Sequence, residues 1–156
     1  MPLLLALFVA LPLHGGSSTD AASSTAPAEA PPGVAAPPEL VRELDAARSQ
    51  ALQRFEARDV EGVLTHVSDQ YRTGPFTKPL IRDNLLAIYG LYETVRARVQ
   101  IDDVRLVGEH AWVYSTGEIS GQLPLVGTWV RFLSWQRELE VARREAGRWR
   151  LFGYQQ

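Results

Sequence analysis

The chain has 156 residues, 46% of them hydrophobic, with four Trp, five Tyr, five Phe, no Cys and a formal charge of -2, which is ample apolar material for one core. Lacking cysteine, these residues form no disulfide, thiolate metal site, cysteine nucleophile or lipidated cysteine anchor. Both surplus acids, Asp20 and Glu29, precede residue 39, so residues 39–156 carry 16 basic and 16 acidic side chains, a balance that argues against a nucleic-acid surface.

Leu3 to Leu13 (LLLALFVALPL) is an apolar run of eleven residues followed by small and polar ones. It falls far short of the ~20 residues a helix needs to span a bilayer, and it reads as a signal-peptide core. Residues 1–14 are therefore expected to export the chain, leaving a bacterial periplasmic or secreted protein with no membrane span in its mature form. Residues 15–38 hold seven Ala, five Pro and four Ser, with Val34 the only larger aliphatic. Such a segment cannot offset its ordering entropy, and the expectation is a disordered linker.

From residue 39 the pattern is helical. Leu40, Leu44, Ala47, Ala51 and Phe55 recur at spacings of three and four and predict an amphipathic helix ending near Arg58. Asp59 stands as an N-cap ahead of Val60, Val63, Leu64 and Val67, which predicts a short second helix ended by Ser68-Asp69. Thr77 and Pro79 introduce a third, with a stripe of Ile81, Leu85, Ile88 and Tyr92.

Period two then takes over. In Thr94 to Asp102, Val95, Ala97, Val99 and Ile101 alternate with polar residues, and Val104 to Val107 continue the strand past a kink. Gly108-Glu109-His110 turns into a second strand, Ala111 to Ser120. Trp129 to Arg143 forms a third, bulged where the adjacent Phe132 and Leu133 break the alternation. A three-residue turn, Glu145-Ala146-Gly147, leads to the last strand, Arg148 to Gln155, in a register that puts Leu139, Val141, Trp149 and Leu151 on one face. The predicted fold class is α+β: three N-terminal helices packed on a curved antiparallel sheet of about four strands.

This order, with the segments ARDVEGVLTHVSDQYR and REAGRWRLFGYQ, resembles the nuclear transport factor 2-like superfamily, also called SnoaL-like or cystatin-like cone. The likeness covers residues 39–156 and is closest to uncharacterised exported bacterial members with a His-x-Ser-Asp-x-Tyr/Phe-Arg segment, here His66, Ser68, Asp69, Tyr71 and Arg72. The resemblance implies a cone-shaped half barrel. It implies no single activity, because the superfamily includes isomerases, dehydratases, transport adaptors and assembly modules.

Candidate catalytic residues are Asp69, a carboxylate placed to act as a base at the mouth of a cone, Tyr71 as a donor beside it, and Glu118 as a pocket acid. Each has a plainer reading: Asp69 as turn chemistry, Tyr71 as edge packing, Glu118 as surface. His66 falls at helical spacing from Val63 and Val67 and reads as a packed or solvated side chain. Tyr89, Tyr92, Trp112, Tyr114, Trp129, Arg131 and Trp135 form an aromatic set suited to a pocket, an interface or plain surface. The arginines from Arg137 to Arg150, interleaved with Glu138, Glu140 and Glu145, read as charge pairs on an exposed face.

No metal is expected from three scattered histidines, and no cofactor in the absence of a phosphate loop, dinucleotide fingerprint or nucleophile elbow. The leading expectation is an exported, non-catalytic domain that binds a small apolar ligand or a protein partner and self-associates as a homodimer through its sheet. The alternative is an isomerase- or dehydratase-like enzyme with Asp69 or Glu118 as base and Tyr71 or Tyr89 as acid.

Overall fold

The computed structural model describes residues 31–154; the signal-like run and most of the expected linker lie outside the described residues. Three helices, α1 (Pro38–Glu56), α2 (Val60–Leu64) and α3 (Lys78–Leu91), cover one face of a five-stranded antiparallel sheet. Its strands are β1 (Val34–Ala35), β4 (Thr94–Val107), β5 (His110–Gln122), β6 (Trp129–Glu145) and β7 (Arg148–Leu151), adjacent in that order. A separate hairpin, β2 (Arg72–Thr73) and β3 (Phe76–Thr77), precedes α3.

The helices start where capping chemistry directs. Asp59 accepts the Gly62 N–H at 2.9 Å and caps α2, and prolines occupy the first turns of α1 and α3, where a missing N–H costs nothing. Arg58, at φ 61°, reverses the chain between α1 and α2, and its guanidinium donates to the carbonyls of Tyr92 and Glu93, both at 2.7 Å, tying that corner to the end of α3.

The sheet departs from the sequence reading in three places. Val34–Ala35, assigned by composition to the linker, form β1 by pairing with Leu106 and Arg105, and Ala36 donates to the Val104 carbonyl at 3.0 Å. Backbone pairing with an open edge needs no large side chain, so composition is blind to it. The β6–β7 turn has two residues rather than three: Glu145 pairs with Arg148, and Ala146 and Gly147 both have positive φ, 49° and 76°, as a type I′ turn requires. The one-residue difference flips the register. Trp149 and Leu151 therefore share a face with Arg144 and Ala142, while Leu139 and Val141 lie opposite, beside Tyr114 and Trp112. Finally, the last strand ends at Leu151.

Three irregularities bend the sheet. Asp102 is an extra residue on β4, between Ile101 opposite Ser115 and Asp103 opposite Tyr114. On β6, Phe132 is extra as its sequence implies, and a second bulge takes up Gln136 and Arg137, the latter at φ 46°. Thr116 links the first and last: its hydroxyl donates to Asp102 at 2.7 Å and accepts the Arg137 N–H at 3.0 Å.

The inner face packs in two clusters. The larger joins Phe55, Val63, Val67, Ile81, Leu85 and Tyr89 of the helical layer to Val95, Ile119, Leu133 and Trp135 of the sheet. The smaller sets Leu44 of α1 on Val104, Ala111, Val113 and Ala142. Two β5 glycines seat aromatic rings: a Cβ on Gly117 would lie 2.4 Å from the Trp135 indole, and one on Gly121 would lie 2.3 Å from the Tyr92 ring. Replacing Ala146 by Asn, which tolerates the left-handed region and completes an Asn-Gly turn, is expected to stabilise the domain by about 1 kcal/mol. Thermal unfolding checks this as a rise of several degrees in Tm, and a fall would contradict the turn type.

Candidate functional site

At the seam between the two clusters lies a narrow cleft, roofed by Leu44, Ala47 and Arg48 of α1 and floored by Ile101, Val113, Ala142 and Leu151. It holds about 40 Å³, room for a few waters or the end of a small apolar group. Pockets that bury a drug-sized ligand take roughly 300–1,000 Å³. His66, Trp149 and Arg150 also line it, and Ala47, His66 and Trp149 are shared with a broader open groove between α1 and the β6–β7 hairpin.

Backbone bonds hold His66 at this junction. Leu151 donates its N–H to the His66 carbonyl and accepts the Ser68 N–H, both at 2.8 Å, so residues 66–68 lie parallel against the end of β7. Burial, followed by the charges of Arg148, Arg54 and Arg150, lowers the His66 pKa from its ordinary value. The imidazole is neutral at pH 7 and faces three cations. Arg54 is paired with Asp59 at 3.1 Å and Arg150 with Glu145 at 3.9 Å, whereas Arg148 makes no ion pair among the described residues. Arg48 is spoken for, bonding Asp45 at 2.6 Å and the Val99 carbonyl. The Trp149 indole donates to Glu43 at 3.2 Å, fixing its ring at the mouth of the cleft.

Beneath His66, the buried Ser68 hydroxyl donates to Glu145 at 2.6 Å, and the Arg143 guanidinium also bonds that carboxylate. Burial raises the Glu145 pKa, but the Ser68 and Arg143 hydrogen bonds together with the charges of Arg143 and Arg150 outweigh it, and the net shift is downward.

The sequence-derived candidates do not converge here. The Asp69 side chain is 84% exposed and bonds Lys78 at 2.6 Å, and that hydrogen bond, then the Lys78 charge, lowers its pKa. Such a carboxylate is a surface anion, not a base sharpened by burial. Tyr71 is buried, which raises its pKa against the Thr73 hydrogen bond, and it lines a smaller cavity with Glu140 and Tyr154. Glu118 stands on the outer face, 3.3 Å from Arg131 and 3.8 Å from Arg98.

The aromatic set divides between the two faces. Tyr89 is in the core, its hydroxyl donating to the Phe55 carbonyl at 2.8 Å. Tyr92 stacks on Phe132 with centroids 4.7 Å apart, and the Trp135 indole, 4% exposed, donates to Ser115 at 3.4 Å. Outside, Trp112 meets the edge of Tyr154, and Tyr114 and Trp129 lie under the guanidiniums of Arg137 and Arg96. Glu140 was read as one of several exposed interleaved acids, yet it is buried, because the bulge at Gln136 and Arg137 exchanges the faces of β6 beyond it. His66 was visible in the sequence, but its position was not: that depends on the Leu151 bonds, which join distant parts of the chain. Among the described residues, no three His, Asp or Glu side chains cluster to hold a metal, and no helix is long and apolar enough to cross a membrane.

No family model and no curated protein matches the chain. Solved structures do match. A conserved protein from Planctomyces limnophilus aligns with a TM-score of 0.64 at 14% identity, over 74% of this chain and 92% of the other. A ketosteroid isomerase-like protein from Erwinia carotovora aligns at 0.56 with 20% identity, over 74% and 93%. A candidate dehydratase of the NTF2-like family from Streptomyces avermitilis aligns at 0.58 with 17% identity, over 75% and 94%. At these identities the likeness is one of fold: the chain adopts the nuclear transport factor 2-like cone.

The lowered pKa values of His66 and Glu145 fix the direction of the pH dependence at this junction. A group whose folded pKa is depressed contributes stability above its unfolded pKa and loses it as pH falls through the folded value. His66 is expected to withdraw stability below about pH 6.5 and Glu145 below about pH 4.3. Thermal unfolding against pH should show both losses, with His66→Gln flattening the upper one and Glu145→Gln the lower. An unchanged profile in either variant contradicts the assignment.

Proposed function

We propose that this is an exported domain that binds a small ligand without transforming it, the ligand's apolar end in the cleft under α1 and an acidic group in the groove outside. The observation that carries the reading is the junction at His66: an apolar slot opens directly onto a groove where Arg148 has no ion pair among the described residues and Arg54 and Arg150 stand close by. An anion there lowers the repulsion among the guanidiniums, and a neutral imidazole accepts or donates a hydrogen bond without adding a fourth charge.

The isomerase- or dehydratase-like alternative has less support. Asp69 and Glu118 are paired with surface cations, and the Tyr89 hydroxyl is committed to a core carbonyl. Activities named for structurally similar proteins come with their own side chains, and the fold does not transfer them. Homodimer formation through the outer face is a separate proposal, supported by the half-exposed Trp112 and Tyr114.

Native mass spectrometry and chemical-shift titration with short aromatic and aliphatic carboxylates, against their amides, test the ligand reading. The acids are expected to bind at least tenfold more tightly, since a charge-assisted hydrogen bond contributes about 1.5–3 kcal/mol. Ala47→Trp, which fills the slot, should abolish binding, and Arg148→Ala should remove the preference for acid over amide. Equal binding of acids and amides by the unaltered protein, or undiminished binding by Ala47→Trp, would sink the proposal.

A further inference from the structure

At the end of the cone away from the His66 groove, the β5–β6 hairpin projects a tip that water should disfavour. Residues 122–130 (QLPLVGTWV) include no charged side chain. Leu125 is fully exposed and Val126 is 69% exposed, with Trp129 and Val130 each 36% exposed beside them. The tip is built, not frayed: Leu123 donates to the Thr128 carbonyl at 2.9 Å and accepts the Gly127 N–H at 3.1 Å, and the Gln122 amide donates to the Gly127 carbonyl at 3.0 Å. Within it Leu125 sits at φ 69°, a conformation that Gly or Asn adopts at less cost than a leucine. An apolar side chain held in a strained backbone and buried against nothing points to a function outside the fold. Leu91, 63% exposed at the end of α3, stands at the same end, since Glu93 donates to the Gln122 carbonyl at 2.9 Å.

Polarity is graded along the strands below the tip. Trp129 comes next, with the Arg96 guanidinium over its ring at 4.2 Å. Arg131 lies two residues further along, roughly 6–7 Å deeper at strand rise, and Arg98 shares Glu118 with it. On the sheet face directly below the tip Arg96, Arg98 and Arg131 stand with Glu118 alone, a local positive excess, while Glu56 accepts the Ala97 N–H at 3.0 Å nearby. Aliphatic tip, then indole, then guanidinium is the order in which a bilayer presents hydrocarbon, interface and phosphate. A protein partner would need a patch of about 800 Å² on each side for a stable complex, and five partly or fully exposed apolar side chains around a hairpin tip fall short of that.

We propose that the β5–β6 tip is a membrane-docking element: Leu125 and Val126 enter the acyl boundary of an anionic bilayer, Trp129 lies at headgroup depth, and Arg96 and Arg131 meet lipid phosphates. This site is remote from the ligand groove and stands independently of it. One-point docking of this kind is reversible and depends on salt and lipid charge.

Co-sedimentation of the full chain with phosphatidylcholine vesicles, with and without phosphatidylglycerol, tests it. Binding is expected on the anionic vesicles and reduced on the neutral ones. Leu125→Asn, which suits the left-handed backbone, should keep or raise Tm while lowering vesicle binding at least tenfold, a combination that a structural role for Leu125 would not give. Leu125→Trp should tighten binding and shift its fluorescence to the blue on vesicles, and Arg96→Gln and Arg131→Gln should each cost about fivefold on anionic lipid only. Failure of the full chain to bind either vesicle overturns the proposal, as does undiminished binding by Leu125→Asn. A dimer that Leu125→Asn dissolves, in a chain that ignores vesicles, also overturns it and assigns the tip to self-association.

Discussion

The Thr116 hydroxyl holds two bulges together across three strands, donating to Asp102 on β4 and accepting from the Arg137 N–H on β6. Each bulge adds a residue to an outer strand while β5 between them runs on, and the sheet bends at that line. The bend brings the two halves of the inner face toward α1 from different directions. The consequence is a core in two clusters, with the cleft at their seam. It also exchanges the faces of β6, so that Trp135 lies inward on one side of the bulge and Glu140 on the other.

The helical layer answers that curvature. Trp135 packs on Gly117 and Tyr92 on Gly121, two places where any larger residue on β5 would push the aromatic ring off the sheet. The cationic groove follows from a different requirement, since β7 must turn back on β6 within two residues, carrying Arg148 and Arg150 next to residues already rich in arginine. Glu145 and Glu43 offset part of that charge through Arg143, Arg150 and Arg144. What is left unpaired collects at His66.

Local patterns in the sequence reported local structure well. The alternation from Val95 to Ile101, the Asp59 cap and the stripe on α3 specify their elements because each depends on neighbours within one or two turns. The Phe132-Leu133 pair disclosed its bulge for the same reason. The second bulge, at Gln136 and Arg137, left no apolar pair to betray it. The type I′ turn was mistaken by one residue because Ala146, unlike Asn or Gly, does not advertise a positive φ. That slip carried Trp149 and Leu151 to the wrong partners and hid the cleft they line. β1 was invisible because its bonds are all backbone, and His66 could be named but not placed. The aromatic set was a sound list of large residues but a poor guide to a site, since five of its members and the β5 acid were assigned together without knowing which strand face each would take.

The bond between residues 66–68 and the end of β7 has a kinetic meaning. Val67 meets Leu151 across most of the folded chain, a contact of high sequence separation whose loop-closure entropy must be met before any of its stabilisation is gained. The α2 segment and the last strand are therefore late partners. A chain still missing its final residues lacks the strand that closes the groove and the cleft, so both are completed only when the last strand docks.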